Sequence, residues 1–157
     1  MPGWPLPGGT DYRPPQPAHI LEKNRERKRP AQMPIAYRID PERQLVLTHA
    51  WGVLTDADVL AHKGKLLRDA AFDPRMPELS DIRTIERLDV TAAGVRAMVA
   101  HDSVHAPRSP GRRLALVVPM DEAYGMARMY ELMSQREDSR VGVFRTFAEA
   151  EAWLGAG

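Results

Sequence analysis

Residues Arg112–Leu132 read RRLALVVPMDEAYGMARMYEL, an unbroken apolar run that turns through a proline corner into a helical pattern. Leu114, Ala115, Leu116, Val117 and Val118 carry polar residues only at their edges, as a parallel strand buried on both faces does. Asp121 opens the helix, and Met126, Met129, Tyr130 and Met133 then recur at i, i+3, i+4 and i+7. A buried strand feeding an amphipathic helix is the repeating unit of an α/β domain, and the flanking segments follow from it.

Upstream, Ile35–Asp40 (IAYRID) and Gln44–Gly52 (QLVLTHAWG) flank the turn signal Asp40-Pro41-Glu42-Arg43, which predicts an antiparallel hairpin closed off at Gly52. Thr55 with Asp58 forms a box-like N-cap, and Val59, Leu60, Lys63, Leu66, Leu67 and Ala70 mark the inner face of the helix that follows. Glu78–Arg83 is the next short strand. Thr91 caps a helix carrying Val95, Met98 and Val99, which stops before Pro107. Downstream, Arg140–Arg145 reads as the last strand, and Thr146 with Glu149 caps a terminal helix. The predicted order is β-β-α-β-α-β-α-β-α, with a four- to five-stranded mixed sheet packed by helices.

At 157 residues, 43% hydrophobic and 27% charged, the chain fits one ordinary domain with a full-sized core. Residues 35–155 are expected to form it. Residues 1–34 hold eight of the fourteen prolines and no hydrophobic period, which predicts an extended, disordered arm. Charge divides the same way: residues 1–33 have six Lys/Arg against three Asp/Glu, and the remainder sixteen against eighteen. The basic run at residues 21–30, LEKNRERKRP, with Trp4 and Tyr12 nearby, is the only stretch that suits nucleic acid, and Glu22 and Glu26 interrupt it. No cysteine is present, which removes disulfides, thiolate nucleophiles and cysteine metal sites and suits a reducing cytoplasm. No apolar run approaches the roughly 20 residues a membrane span needs, and the amino terminus lacks a signal-peptide pattern.

The hairpin, the strand ending in Ser80-Asp81-Ile82-Arg83, the segment AYGMARMYEL (Ala123–Leu132) and the ending VFRTFAEAEAWLG (Val143–Gly155) together resemble the SpoIIAA-like branch of the STAS-like proteins. The resemblance spans about Ile35 to Gly155. It implies a small α/β module related in fold to anti-sigma-factor antagonists and to CRAL-TRIO lipid-binding domains, bacterial in type, which docks partner proteins or apolar ligands without catalysing a reaction. It also implies a regulatory Ser or Thr at the start of the helix after the third strand. The corresponding region, Asp89-Val90-Thr91-Ala92-Ala93-Gly94, keeps a hydroxyl at Thr91 but not the family's phosphorylation motif, and an ordinary N-cap role accounts for it.

Other residues bear on chemistry. His101 and His105 share a helix face at i, i+4 but lack a third metal ligand, because Asp102 points about 100° away; no metal or cofactor is expected. His49 and His62 read as structural. No nucleophile with a base, glycine-rich phosphate loop or carboxylate pair forms a motif, so an enzyme is not expected. In open α/β sheets a ligand sits outside the carboxyl ends of the strands, which singles out Asp81, Arg83, Met120, Asp121, Tyr124 and Arg145. Met126, Met129, Tyr130 and Met133 are the candidate interface or apolar pocket, since methionine adapts to varied partners. The sequence thus leads first to an interaction or regulatory module acting on a protein partner or on a second copy as a homodimer, and second to a carrier of an apolar or amphipathic small ligand.

Overall fold

The computed structural model describes residues 33–108, 110–136 and 139–155. The Pro-rich arm and its basic run lie outside these, apart from the last residues before the first strand. Strands β1 (Ile35–Asp40), β2 (Leu45–Thr55), β3 (Glu78–Asp89), β4 (Arg112–Val117) and β5 (Ser139–Phe144) alternate with helices α1 (Asp56–Leu67), α2 (Ala92–His105), α3 (Asp121–Met133) and α4 (Phe147–Gly155). The five strands form one sheet in chain order. β1 pairs antiparallel with β2, and every later pair is parallel.

Residue alternation along the strands sorts the core into two layers, because successive side chains point to opposite faces. On one face Leu45, Leu47, Leu79, Ala115 and Val117 pack against Phe147, Ala150 and Trp153 of α4. On the other, Ile82, Val118 and Val143 meet Ala123 and Ala127 of α3, while Leu114 and Val141 meet Val95 and Met98 of α2 and Tyr130 of α3. Val46 meets Leu66 of α1. The connections β2-α1-β3, β3-α2-β4 and β4-α3-β5 therefore lay three helices on one face, and α4 alone covers the other.

Local chemistry fixes the helix starts. Thr55 Oγ1 accepts from the Asp58 backbone N–H at 3.3 Å while Asp58 accepts from the Thr55 N–H at 2.9 Å, a complete capping box. The same exchange joins Thr146 and Glu149 at 3.1 and 3.2 Å. At α2, Thr91 Oγ1 accepts from Gly94 N–H at 2.9 Å, and Asp56 at the start of α1 accepts both the Thr91 N–H at 2.8 Å and its hydroxyl at 2.6 Å. A Cβ on Gly94 would lie 1.8 Å from Asp56 Oδ1, so only glycine lets the two helix starts meet this closely.

Two segments differ from the sequence reading. β2 runs on through Gly52 to Thr55 instead of ending there: Gly52 has φ of +63° and sits at a register shift against β3, so it bends the strand as a bulge. β3 continues beyond Arg83 to Asp89. Its second half is charged because it pairs with β2 alone, β4 having stopped at Val117 opposite Asp81, and so its alternate side chains reach solvent. Ala70 falls past the end of α1.

Candidate functional site

Between the sheet and the layer of α1, α2 and α3 lies a cavity of about 160 Å³. Val59, Val95, Met98, Leu116 and Met126 give it an apolar body. One end is charged, and that end is built from the first residues of β3 and β4 and the later turns of the three helices.

Two groups of polar side chains form this end. In the first, the buried Glu78 carboxylate at the start of β3 ties the sheet to α1. Its Oε1 accepts from Thr48 Oγ1 on β2 at 2.7 Å and from His62 Nε2 on α1 at 3.2 Å, and its Oε2 accepts from Arg112 at the start of β4. Because the carboxylate can only accept, His62 carries its proton on Nε2. In the second group one residue comes from each helix: Lys63 Nζ on α1 donates to both Asp102 oxygens on α2 at 3.0 and 3.1 Å and to the Tyr130 hydroxyl on α3 at 3.0 Å, and Tyr130 in turn donates to Asp102. His101, next to Asp102, also lines the cavity.

Charges this deep persist only when paired. Burial by itself would raise the Glu78 carboxyl, but the hydrogen bond from His62, the Arg112 charge and Thr48 outweigh it and hold it well below the ordinary glutamate range. Asp102 follows the same pattern: burial opposes its charge, and Lys63 and Tyr130 hold its pKa below the usual aspartate value. Burial likewise opposes the Lys63 ammonium, yet Tyr130 and Asp102 keep its pKa above the usual lysine value. Burial, seconded by Asp102, pushes the Tyr130 hydroxyl up, so it remains a donor at neutral pH. Burial and neighbouring His105 hold His101 below the usual histidine value.

The residues singled out at the carboxyl ends of the strands separate into different places. Asp81 is 1% exposed on the α4 face, where Arg83 grips it through Nε and Nη2, both at 2.8 Å, and stacks 5.0 Å from the Phe147 ring. Arg145 stands 3.8 Å above the Tyr124 ring and reaches Asp121 at 2.7 Å and the Pro119 carbonyl at 2.8 Å, at the carboxyl end of β4 and β5. Met120, partly buried, packs with Tyr124 against the core cluster that contains Val118. Ser80 and Asp81, neighbours in sequence, face opposite sides: Ser80 lines the cavity and Asp81 does not. Of the methionine stripe, Met126 and Tyr130 line the cavity, Met129 packs in the same core cluster, and Met133 is 41% exposed. The Thr91 hydroxyl is engaged on both sides, donating to Asp56 and accepting from Gly94.

His105 Nδ1 donates to the His101 carbonyl at 2.8 Å, and among the described residues no three His, Cys, Asp or Glu side chains gather in a way that would hold a metal ion. The sequence reading passed over Thr48, His62, Glu78, Asp102 and Arg112 as cavity residues. One signal was present: Lys63 falls on the apolar face of α1, where a lysine has no reason to sit unless its ammonium is met inside.

No family model matches the sequence, and no curated protein matches it either. Solved structures do match. One is an uncharacterised protein of the DUF3478 family with a SpoIIAA-like fold from Shewanella loihica PV-4, with 18% identity and a TM-score of 0.51 over 76% of this chain and 93% of that one. Another is the anti-sigma factor antagonist SpoIIAA in its unphosphorylated form, with 13% identity and a TM-score of 0.46 over 78% of this chain and 99% of that one. The protein is thus an α/β domain with the SpoIIAA-like, STAS-like fold that the sequence resemblance led one to expect. Among the described residues no helix is long and apolar enough to cross a membrane.

Proposed function

We propose that this chain is a binding module whose cavity, between the sheet and α1, α2 and α3, takes a small amphipathic ligand. The observation that carries this reading is the cavity itself: about 160 Å³ of space with an apolar body and one charged end. An apolar cavity of about 150 Å³ is large enough to admit a benzene-sized molecule. Orientation by a few polar groups at one end of an otherwise apolar wall is the usual design of a small-molecule site. The charged groups hold one another in pairs, which favours recognition over catalysis.

The reading is tested with toluene as a probe, followed through the methionine methyl resonances of the full chain. Met98 and Met126 line the cavity and exposed Met133 does not. Toluene is expected to shift Met98 and Met126, to leave Met133 in place, and to lose its effect in Ala127→Leu, which fills the cavity from α3. Shifts confined to Met133, or undiminished binding by Ala127→Leu, would sink the reading.

A second reading, docking of a protein partner or of a second copy, has its own observation. Val104 at the end of α2 and Leu132 and Met133 at the end of α3 are the large hydrophobic side chains most exposed among the described residues, at 75%, 65% and 41%. Leu132 and Met133 are adjacent in sequence, and apolar side chains exposed together mark interaction surfaces more often than singly exposed ones do. Sedimentation of the wild type against Leu132→Glu tests it: dimerisation through this surface requires that the charge shift the equilibrium to monomer. Asp121, Tyr124 and Arg145 at the carboxyl rim, Asp81 and Arg83 under α4, and Thr91 as a modified hydroxyl stay proposals of lower rank, since their polar atoms already satisfy one another.

A further inference from the structure

We infer that the cavity's ligand is uncharged and carries a hydroxyl or carbonyl oxygen that pairs with the Ser80 hydroxyl, which makes it a small aromatic or short-chain alcohol, phenol or ketone. This inference rests on the cavity reading and names its ligand class.

The position of Ser80 comes first. Alternate residues of β3, namely Glu78, Ser80 and Ile82, face the helices and line the cavity. Across the sheet Ser80 lies opposite Thr48 of β2 and Leu116 of β4. Glu78, one step before it on this face, belongs to the charged end, and Ile82, one step after, faces the apolar core. Ser80 thus stands where the cavity wall changes from charged to apolar.

Its hydroxyl is the open polar group at that boundary. Ser80 is 8% exposed, and among the described residues its side chain makes no hydrogen bond. Arg112 Nε, His62 Nδ1 and Ser134 Oγ also lack a partner, but they are sealed inside the wall, beyond a ligand's reach. The Ser80 oxygen is not sealed in this way, and the surface it keeps belongs to the cavity. Buried polar groups in native proteins are almost always satisfied, and a hydroxyl left unpaired is costly. Because a hydroxyl both donates and accepts, one neutral oxygen on the ligand completes it.

The charged neighbours leave no place for an ion. Glu78 is held by Arg112 and His62, and Asp102 by Lys63. Arg136 is engaged as well, donating to Ser103 Oγ at 3.0 Å. An ionised ligand would enter an apolar space without a counter-charge, which costs far more than burying a neutral oxygen that finds a hydrogen bond. At about 160 Å³ the space houses one ring or a short chain.

The test titrates toluene, benzyl alcohol, benzoate and benzylamine into the full chain at pH 7, where the last two are ionised, and follows the Met98 and Met126 methyl resonances. Ser80→Ala is expected to weaken benzyl alcohol about fivefold, as the loss of one neutral hydrogen bond does, and to leave toluene unchanged or slightly tighter. Benzoate and benzylammonium are expected to bind at least about tenfold more weakly than benzyl alcohol in the wild type. Benzyl alcohol affinity unmoved by Ser80→Ala, an equal loss for toluene, or either ion matching benzyl alcohol would overturn the neutral-oxygen assignment, while toluene binding keeps the cavity reading intact. Failure of both neutral probes to bind the wild type would instead overturn the cavity reading beneath it.

Discussion

The Lys63 ammonium on α1 donates to the Tyr130 hydroxyl on α3 at 3.0 Å, across 67 residues of sequence, and both meet Asp102 on α2. One side chain from each of three helices thus closes a single buried hydrogen-bonded triangle over the cavity. Since no two of these helices are consecutive partners in a hairpin, the triangle fixes their spacing in a way that apolar packing, which is non-directional, does not.

Removing one corner tests this. Tyr130→Phe deletes a hydroxyl that serves both partners and is expected to cost about 1–2 kcal/mol in urea unfolding. Lys63→Met strands the Asp102 charge and is expected to cost about 3 kcal/mol. A double-mutant cycle between the two positions should give a coupling of at least about 0.5 kcal/mol. Additive losses would mean that the triangle is three independent contacts.

The acid limb of stability follows from Glu78 and Asp102, whose folded pKa values are both lowered. Groups of this kind contribute fully above their unfolded pKa values, near about 4.3 and 3.9, and lose the contribution as pH falls through the lower folded values. Stability is therefore expected to drop steeply below about pH 4.5. Glu78→Gln should be less stable at pH 7, because Arg112 loses its counter-charge, and should show a shallower acid limb. Equal acid slopes for the two proteins would remove Glu78 from this role.

His49, fully buried on the α4 face, gives a second pH dependence at higher pH. Burial lowers its pKa against the opposing pull of Asp81, whose Oδ2 is 3.9 Å from Nδ1, with Arg83 adding to the lowering. A histidine held neutral in the fold protonates more readily when unfolded, so its contribution is full above about pH 6.5 and is lost as pH falls below that value. The difference in unfolding free energy between wild type and His49→Gln, followed from pH 8 to pH 5, should change in that direction; a constant difference would exclude it.

Where α1 and α2 begin, Gly94→Ala places a methyl against Asp56 and is expected to cost about 2 kcal/mol or more, through overpacking and a displaced cap. Asp56→Ala removes the obstacle, so Gly94→Ala in that background should be neutral or stabilising. Thr91→Glu, a mimic of phosphate, should destabilise α2 for the same reason, since it sets one carboxylate against another. Calorimetric melting of the four variants against the wild type distinguishes these outcomes.

Much of the fold was legible locally. Thr55 with Asp58 and Thr146 with Glu149 announced their helices because a capping box is made by residues three apart. Leu114 to Val118 announced a buried strand because both of its faces needed apolar side chains. The errors were also local in kind. Gly52 looked like a terminator and is a bulge, and the third strand, read as ending at Arg83, runs on to Asp89 with its outer half paired to β2 alone.

The order of elements, the caps and the apolar faces were set by neighbouring residues, because these depend on groups within one or two turns of each other. The site came only from folding. Thr48, His62 and Arg112 lie 30, 16 and 34 residues from the carboxylate that gathers them, and nothing in local propensity marks such partners for each other. The general rule for open sheets pointed to the carboxyl ends of the strands, whereas the charged end of the cavity is built at the amino ends of β3 and β4. The reason is that Glu78 and Arg112 start those strands beneath the last turns of three helices, and closing that layer required their charges to be paired.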